Sequence, residues 1–318
     1  SDVSPNPRES QVMEGSELYL KEGCDVIVCV GGGSPMDCAK GIGIVSTHNK
    51  HILEFEGVDK IEMPVPPLIF IPTTAGTSAD VSQFCIISNQ EAKVKIAIVS
   101  KAIVPDVALV DPETTTTMDP YLTACTGMDA LAHAVEAYVS TGCGPLTDLY
   151  ALEAIKLIGE NLAKLLKDQD NLEYREKIML ASMKAGLAFS NASLGAVHAM
   201  AHSLGGLLDL PHGECNAMLL DHVINFNYSS VPDRYQDIAS ALSMDTHKMS
   251  GKEIRKTLTS EISSLKKEVG IVNQLQKKGV KTVDIPDLSE KAIKDACILT
   301  NPRKSVQRDI EVIYEEAM

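Results

Sequence analysis

Aspartate and histidine residues in the second half of the chain have the types and the spacing of metal ligands. Asp129 and His133 stand four residues apart, and His198 and His202 repeat that spacing further along. On a helix, residues four apart share one face and lie about one turn from each other. Each pair therefore predicts a helix that presents two potential ligands side by side.

A further histidine, His212, stands in the short segment 211–213, Pro-His-Gly, which predicts a loop directly after the second helix. One buried histidine is usually a hydrogen-bonded core residue, so none of these residues is strong evidence alone. Together, four histidines and one carboxylate favour a single first-row divalent metal with nitrogen and oxygen ligands. The remaining histidines lack partners at such spacing and are interpreted as surface or packing residues: His48, His51, His222 and His247.

A glycine-rich segment in the first half, residues 31–37, has the composition of an anion-binding helix start. We expect Ser34 to cap a helix, Pro35 to be its first residue, and Asp37 to complete a capping box. The free N–H groups at such a helix start attract phosphate. The alternative is a well-capped helix after a glycine turn, and the segment is not the G-x-G-x-x-G fingerprint.

A second segment, residues 72–80, also follows an apolar run and carries the hydroxyls of Thr73, Thr74, Thr77 and Ser78. Hydroxyl-rich turns also occur as ordinary loop chemistry. Two such loops after neighbouring strands, however, favour a nucleotide cleft, because ligands bind at the carboxyl ends of parallel strands.

The elements that must position these residues change in character along the chain. Apolar runs at 25–30, 67–71 and 107–110 predict parallel strands buried on both faces, and 84–87 with 93–99 predicts a hairpin. After residue 119 only helical periodicity is found, at 129–140, 146–166, 174–188, 198–208, 234–242, 251–268 and 289–300. We therefore predict an α/β nucleotide-binding domain over 1–118 and an all-helical metal-binding domain over 119–318.

Composition excludes several classes of protein. The chain has 318 residues, 44% of them hydrophobic, and a formal net charge of −14. The acidic balance argues against nucleic acid and anionic membranes as partners, and no apolar run approaches the length of a membrane span. Eight scattered cysteines without a C-x-x-C pair indicate reduced thiols in a cytoplasmic enzyme.

With these motifs assembled, the sequence resembles the iron-containing (group III) alcohol dehydrogenase family along nearly its whole length. The resemblance rests on the glycine-rich and threonine-rich loops and on Lys95, followed by the motifs at 105–112, 127–133, 198–202, 211–213 and 301–303. It implies a Rossmann-like parallel-sheet domain followed by an all-helical domain, the dehydroquinate synthase-like fold, with a metal in the cleft between them.

The resemblance also assigns roles to residues. The metal ligands would be Asp129, His133, His198 and His212, and His202 would be the catalytic residue beside the nicotinamide. The cofactor site would be lined by Gly32, Gly33, Ser34, Asp37, Thr73, Thr74, Ser78 and Lys95.

The expected activity is hydride transfer between a small primary alcohol, diol or aldehyde and NAD(H), with NADP(H) left open and Fe²⁺ as metal, Zn²⁺ being possible. Two alternatives stand beside it: a regulatory or sensing protein of the same family, and a zinc-dependent glycerol dehydrogenase or sugar-phosphate cyclase of the broader fold. Members of the family carry about two further βα units before the segment that resembles residues 2–7. We therefore expect a truncated chain that binds metal but binds NAD(H) weakly, and that assembles as a homo-oligomer, at least a dimer.

Overall fold

The computed structural model describes residues 3–92, 94–208, 210–271 and 274–318. The chain divides into two compact units, Ser1–Thr115 and Thr116–Met318. The sequence places its domain boundary between residues 118 and 119.

In its described residues, the first unit contains two α-helices and six strands. The helices are α1 (Glu9–Lys21) and α2 (Gly33–His48), and the strands are β1 (Ile27–Gly31), β2 (Gly57–Val58), β3 (Leu68–Pro72), β4 (Phe84–Asn89), β5 (Val94–Val99) and β6 (Val107–Ala108). The predicted hairpin is present as the antiparallel pair of β4 and β5. Lys93, the first residue of the predicted second strand of this hairpin, lies outside the described residues.

Two three-stranded sheets organise this unit, in the orders β1-β3-β6 and β2-β5-β4. The first sheet is parallel, with Ile27 opposite Leu68 and Ile69 opposite Val107. Helix α2 contributes Met36 and Ala39 to the core on the first sheet, and its Cys38 and Ile44 belong to the core that contains the second sheet. The two glycine- and threonine-rich loops directly follow β1 and β3, so they meet at one edge of the parallel sheet.

The prediction that each parallel strand is buried on both faces is wrong for β1. Cys29 is buried against α2, whereas Val28 and Val30 are 57% and 62% exposed. Successive side chains of a strand point to opposite faces, so only the residue facing α2 gains a packing partner from that helix.

The described part of the second unit contains helices and no strand. The helices are α3 (Pro120–Val139), α4 (Pro145–Lys167), α5 (Leu172–Ala192), α6 (Ala196–Leu208), α7 (His212–Asn227), α8 (Pro232–Ala241), α9 (Gly251–Glu268), α10 (Ile285–Lys294) and α11 (Gln307–Ala317). In the described chain, no helix has both the length and the apolar character needed to cross a membrane.

Two sequence expectations for these helices need correction. The helix predicted over 289–300 ends at Lys294, because Asp295 is extended. The Asp295 carboxylate accepts the N–H of Cys297 and so caps a short 3-10 helix, Ala296–Thr300. The predicted loop at His212 is instead the first turn of α7. Pro211 is the N-cap, and its carbonyl accepts the N–H groups of Glu214 and Cys215 at 3.0 and 3.2 Å.

Helix α3 is the centre of the second unit and packs against α4, α5 and α7. Its start is fixed by Pro120 in the first turn and by the Asp119 side chain, which accepts the N–H of Leu122 at 3.0 Å. Every residue from Thr123 to Val139 is buried, including the polar side chains that the helix carries. Polar groups on this helix are therefore shielded from solvent and held in fixed positions.

Candidate metal centre and cofactor loops

One face of α3 carries three of the polar groups of the candidate metal centre. Asp129, His133 and Glu136 follow one another at spacings of four and three residues, so they share one helix face. Their exposed fractions are 2%, 4% and 3%. Burial of two carboxyl groups and an imidazole on one face costs free energy unless other groups compensate it.

The candidate ligands from three helices converge on one point. The Asp129 Oδ1 atom lies 4.0 Å from His198 Nε2 on α6 and 3.9 Å from His212 Nε2 on α7. All three ligand atoms lie within 4.8 Å of one another. The sequence pattern that predicted a shared site therefore corresponds to a real juxtaposition for these three residues.

The contacts of Asn216 show that three acceptor atoms crowd around one amide nitrogen. Its Nδ2 atom lies 2.6 Å from Asp129 Oδ1, 3.0 Å from His198 Nε2 and 3.1 Å from His212 Nε2. An amide nitrogen has two hydrogens and cannot satisfy three acceptors. The amide oxygen of Asn216 is buried and has no hydrogen-bond partner among the described residues. Three lone pairs directed at one point, from one carboxylate and two imidazoles, fit a divalent first-row metal.

The fourth predicted ligand, His133, lies beside this group. Its ring stacks on His198 with centroids 4.5 Å apart, and on Phe189 at 4.4 Å. The compact group of ligand atoms consists of Asp129, His198 and His212 without it. The role of His133 as a ligand stays a prediction.

His202, the predicted catalytic residue, lies next to the group. Its ring stacks on His212 with centroids 5.2 Å apart, and its Nδ1 atom is 2.8 Å from Asp295 Oδ2. His202, Asp295 and Cys297 form a second set of potential ligands within 4.8 Å. In that set the carboxylate already pairs with the imidazole and with the Cys297 N–H, so it fits a metal less well.

Burial sets the protonation of the centre. It lowers the pKa of His198 well below its ordinary value, and the neighbouring histidines act in the same direction. Burial would raise the pKa of Asp295, but His202 and the hydrogen bonds at Cys297 bring it below its ordinary value. His198 is therefore neutral at neutral pH, with a lone pair available to a metal.

The two predicted cofactor loops contact each other. A Cβ atom on Gly32 would lie 3.0 Å from the Thr74 side chain, and one on Gly33 would lie 2.8 Å from Thr77. Thr73 donates its N–H to the Gly31 carbonyl at 2.9 Å. Close approach of two backbones at the start of α2 is the geometry that a bound phosphate group needs.

The expected cap of α2 is wrong in detail. The helix begins at Gly33 with Gly32 at the N-cap, and no side chain caps it. Ser34 lies inside the first turn, where its Oγ accepts the N–H of Asn6 at 3.2 Å. The helix starts early because glycine fits where a side chain would collide with Thr77. The first turn thus leaves its N–H groups without a competing side chain.

Asp37 does not close a capping box either. Burial raises the pKa of its carboxyl to about 7, opposed by the Lys40 ammonium, the Ile86 N–H and Lys95. Lys40 itself is buried and donates to the Ser82 carbonyl at 2.7 Å. These contacts hold Asp37 toward β4 and β5, so its place in the cofactor site stays a prediction.

The last two predicted cofactor residues have defined places in the first unit. Ser78 is buried at a positive φ of 52°, and its Oγ donates to the Gly76 carbonyl at 3.4 Å. Lys95 on β5 donates to the Asn6 Oδ1 at 2.8 Å. Asn6 therefore links Lys95 to Ser34, a connection that the sequence did not indicate.

Three other residues of the candidate centre were missed by sequence reasoning. Glu136 could have been found, because it continues the face of Asp129 and His133 by one more turn. Asn216 stands four residues after His212, a spacing that has meaning only once that segment is known to be helical. Asp295 is 93 residues from His202 and carries no local signal.

Two family models match most of this chain. Residues 1–112 match the model described as iron-containing alcohol dehydrogenase, and residues 123–318 match the C-terminal model of the Fe-containing alcohol dehydrogenase family. A 1,3-propanediol dehydrogenase of Citrobacter freundii is 44% identical over 315 residues, covering 99% of this chain and 81% of that protein. An NAD-dependent methanol dehydrogenase of Bacillus methanolicus is 38% identical, with 99% and 83% coverage.

Comparison with solved structures leads to the same family. The crystal structure of a 1,3-propanediol oxidoreductase superposes with a TM-score of 0.97 at 43% identity, covering 99% of this chain and 83% of that one. A Rossmann-like parallel-sheet domain followed by a helical domain is therefore confirmed as the fold class. Family membership further implies a metal and an NAD-type cofactor. The chain belongs to the iron-containing alcohol dehydrogenase family and is an oxidoreductase of alcohols and aldehydes.

Proposed function

We propose that this enzyme oxidises a small primary alcohol or diol with NAD, or reduces the corresponding aldehyde, at a centre that holds Fe²⁺. The observation that carries the proposal is the convergence of Asp129 Oδ1, His198 Nε2 and His212 Nε2 around one point. His133 would supply the fourth ligand. The relatives named as acting on 1,3-propanediol and on methanol support a small primary alcohol, and one of them is named NAD-dependent.

The residues of the centre have separate tasks. A divalent cation, when bound there, supplies Lewis acidity toward an alcohol or carbonyl oxygen. Asp129 contributes the negative charge of the ligand set, and the buried imidazole of His198 stays neutral. Because both lie on buried helix faces, water is excluded from their side of the centre.

His202 is suited to carry the hydroxyl proton. Asp295 accepts the hydrogen on its Nδ1 atom at 2.8 Å, which leaves Nε2 with a lone pair for that proton. The His202 side chain is 19% exposed, whereas that of His198 is 1% exposed. A proton taken up by His202 can therefore pass to water, whereas the buried ring of His198 has almost no contact with solvent.

The cofactor is proposed to lie on the first unit. Its pyrophosphate would rest on the backbone of Gly32, Gly33 and Ser34, where the uncapped start of α2 provides N–H groups and positive potential. Hydride transfer to or from the nicotinamide is chemistry of the cofactor, which the protein orients.

Metal dependence gives the direct test of this function. The chain is stripped with a chelator, and Fe²⁺ or Zn²⁺ is added back with NAD⁺ and either 1,3-propanediol, methanol or a secondary alcohol. We expect Fe²⁺ to restore NADH formation with primary alcohols. Turnover that is indifferent to chelation, or that needs no nicotinamide cofactor, would contradict the proposal.

Replacing His202 separates proton transfer from metal binding. We expect His202→Asn to lower kcat by about 10²- to 10⁴-fold, the usual contribution of a positioned acid-base group. Metal content should stay stoichiometric, because the three converging ligand atoms do not include those of His202. Unchanged kcat in the variant would remove His202 from the reaction, whereas lost metal would make it a ligand.

We also propose a compartment and an oligomeric state for this enzyme. Eight free cysteines support a reducing compartment such as the cytoplasm. Leu146 and Leu149, neighbours on α4, are 72% and 68% exposed, which supports association of chains into at least a dimer.

A further inference from the structure

A buried carboxylate lies directly behind one of the candidate metal ligands. The Glu136 Oε2 atom is 2.6 Å from His198 Nδ1, and it also accepts the His198 backbone N–H at 3.3 Å. The other oxygen, Oε1, accepts the Val197 N–H at 2.6 Å. One side chain on α3 therefore contacts both the imidazole and the backbone at the start of α6.

Burial raises the pKa of Glu136 to about 8, and hydrogen bonds from the N–H groups of Val197, Gly195 and His198 at the start of α6 act against that rise. Within 3–92, 94–208, 210–271 and 274–318, no lysine or arginine forms an ion pair with Glu136. The N–H groups at a helix N-terminus favour negative charge, and Glu136 occupies that position on α6. A Cβ atom on Gly195 would lie 2.8 Å from Glu136 Oε1, so glycine permits the carboxylate to come this close.

In its ionised form, Glu136 selects one tautomer of the His198 ring through this contact. When a carboxylate accepts the hydrogen on Nδ1, the other nitrogen carries the lone pair. That nitrogen, Nε2, is the atom that faces Asp129 Oδ1 at 4.0 Å. Histidine ligands commonly have such a partner, which fixes the ring and increases its basicity.

Resting on the proposed function, we propose that Glu136 is a positioning residue of the metal centre, which holds His198 with Nε2 directed at the metal. It does so from the same helix that supplies Asp129. The role differs from that of Asn301, whose Oδ1 accepts the Ala196 N–H at 3.2 Å and so anchors the same helix start without contacting the imidazole. Replacing each residue in turn therefore distinguishes the loss of ring orientation from the loss of helix anchoring.

The test compares Glu136→Gln with Asn301→Ala. Zn²⁺ affinity is measured by competition with a chelating dye, and the visible absorption of bound Co²⁺ reports ligand geometry. We expect Glu136→Gln to weaken Zn²⁺ binding by about 10- to 100-fold and to shift the Co²⁺ bands. Asn301→Ala should change the affinity far less and leave the bands in place.

Two further variants keep the result interpretable. Asp221→Asn removes a different, partly buried carboxylate, one that pairs with the buried Lys266 at 2.6 Å, and should lower Tm without changing Zn²⁺ affinity. Glu136→Asp keeps the charge but shortens the side chain, so we expect an affinity between those of wild type and Glu136→Gln; it replaces the latter if that variant does not fold.

The outcomes are distinct. Wild-type affinity and Co²⁺ bands in Glu136→Gln would overturn this proposal, and so would equal losses in Glu136→Gln and Asn301→Ala, which would show helix anchoring alone. Failure of the wild-type chain to bind Zn²⁺ or Co²⁺ would overturn the proposed function itself.

Discussion

Replacing His212 with alanine is expected to abolish stoichiometric metal binding and, with it, metal-dependent turnover. His212 Nε2 is one of three ligand atoms that lie within 4.8 Å of one another, so its removal leaves two of that group. The His212 side chain is 29% exposed and lies in the first turn of α7, so its loss should cost little folding stability. Metal content by elemental analysis and Tm without metal measure the two effects separately.

His222→Ala is the matched control for this change. His222 lies on the same helix, with Nε2 3.8 Å from Asp221, away from the converging ligands. We expect this variant to keep its metal. Full metal occupancy in His212→Ala would remove His212 from the ligand set, and equal loss in both variants would point to general damage of α7.

Replacing Gly33 with alanine is expected to weaken NADH binding about tenfold or more, which corresponds to at least about 1.4 kcal/mol of binding free energy. The added Cβ would lie 2.8 Å from Thr77 Cγ2 and 2.9 Å from Thr77 Oγ1, so the two loops must move apart. The N–H groups at the start of α2 would then lose their position toward a phosphate group. Calorimetric titration with NADH measures the change.

Gly43→Ala provides the control on the same helix. A Cβ atom there would lie 3.4 Å from Val65 Cβ, a distance close to ordinary contact, and far from the loops. NADH affinity should therefore match that of the wild type. If Gly33→Ala also binds NADH normally, the nucleotide does not lie on this helix start.

Much of the metal centre could be predicted because its ligands occur in local pairs. Asp129 with His133, and His198 with His202, show their shared faces in the spacing alone, since helix geometry relates residues four apart. The sequence could not show that the His133 ring stacks on His198 and Phe189, because ring orientation depends on tertiary packing.

The errors arose where a local signal had two physical interpretations. Pro211-His-Gly213 is typical of a loop, but proline also begins helices, and the contact of Asn216 with the ligands follows only from the second interpretation. Ser34 is a favourable N-cap by type, yet Gly33 fits against Thr77 and starts α2 earlier. Contacts between distant segments, such as Asp295 with His202, depend on the assembled fold and leave no periodic trace.

Anomalous diffraction from crystals grown with Fe²⁺, collected at the iron absorption edge, tests the central claim most directly. We expect one strong peak per chain, about 2 Å from Asp129 Oδ1, His198 Nε2 and His212 Nε2. A nitrogen of His133 should complete the set. A peak among His202, Asp295 and Cys297 instead, or no peak in protein that turns over alcohol with NAD⁺, would contradict it.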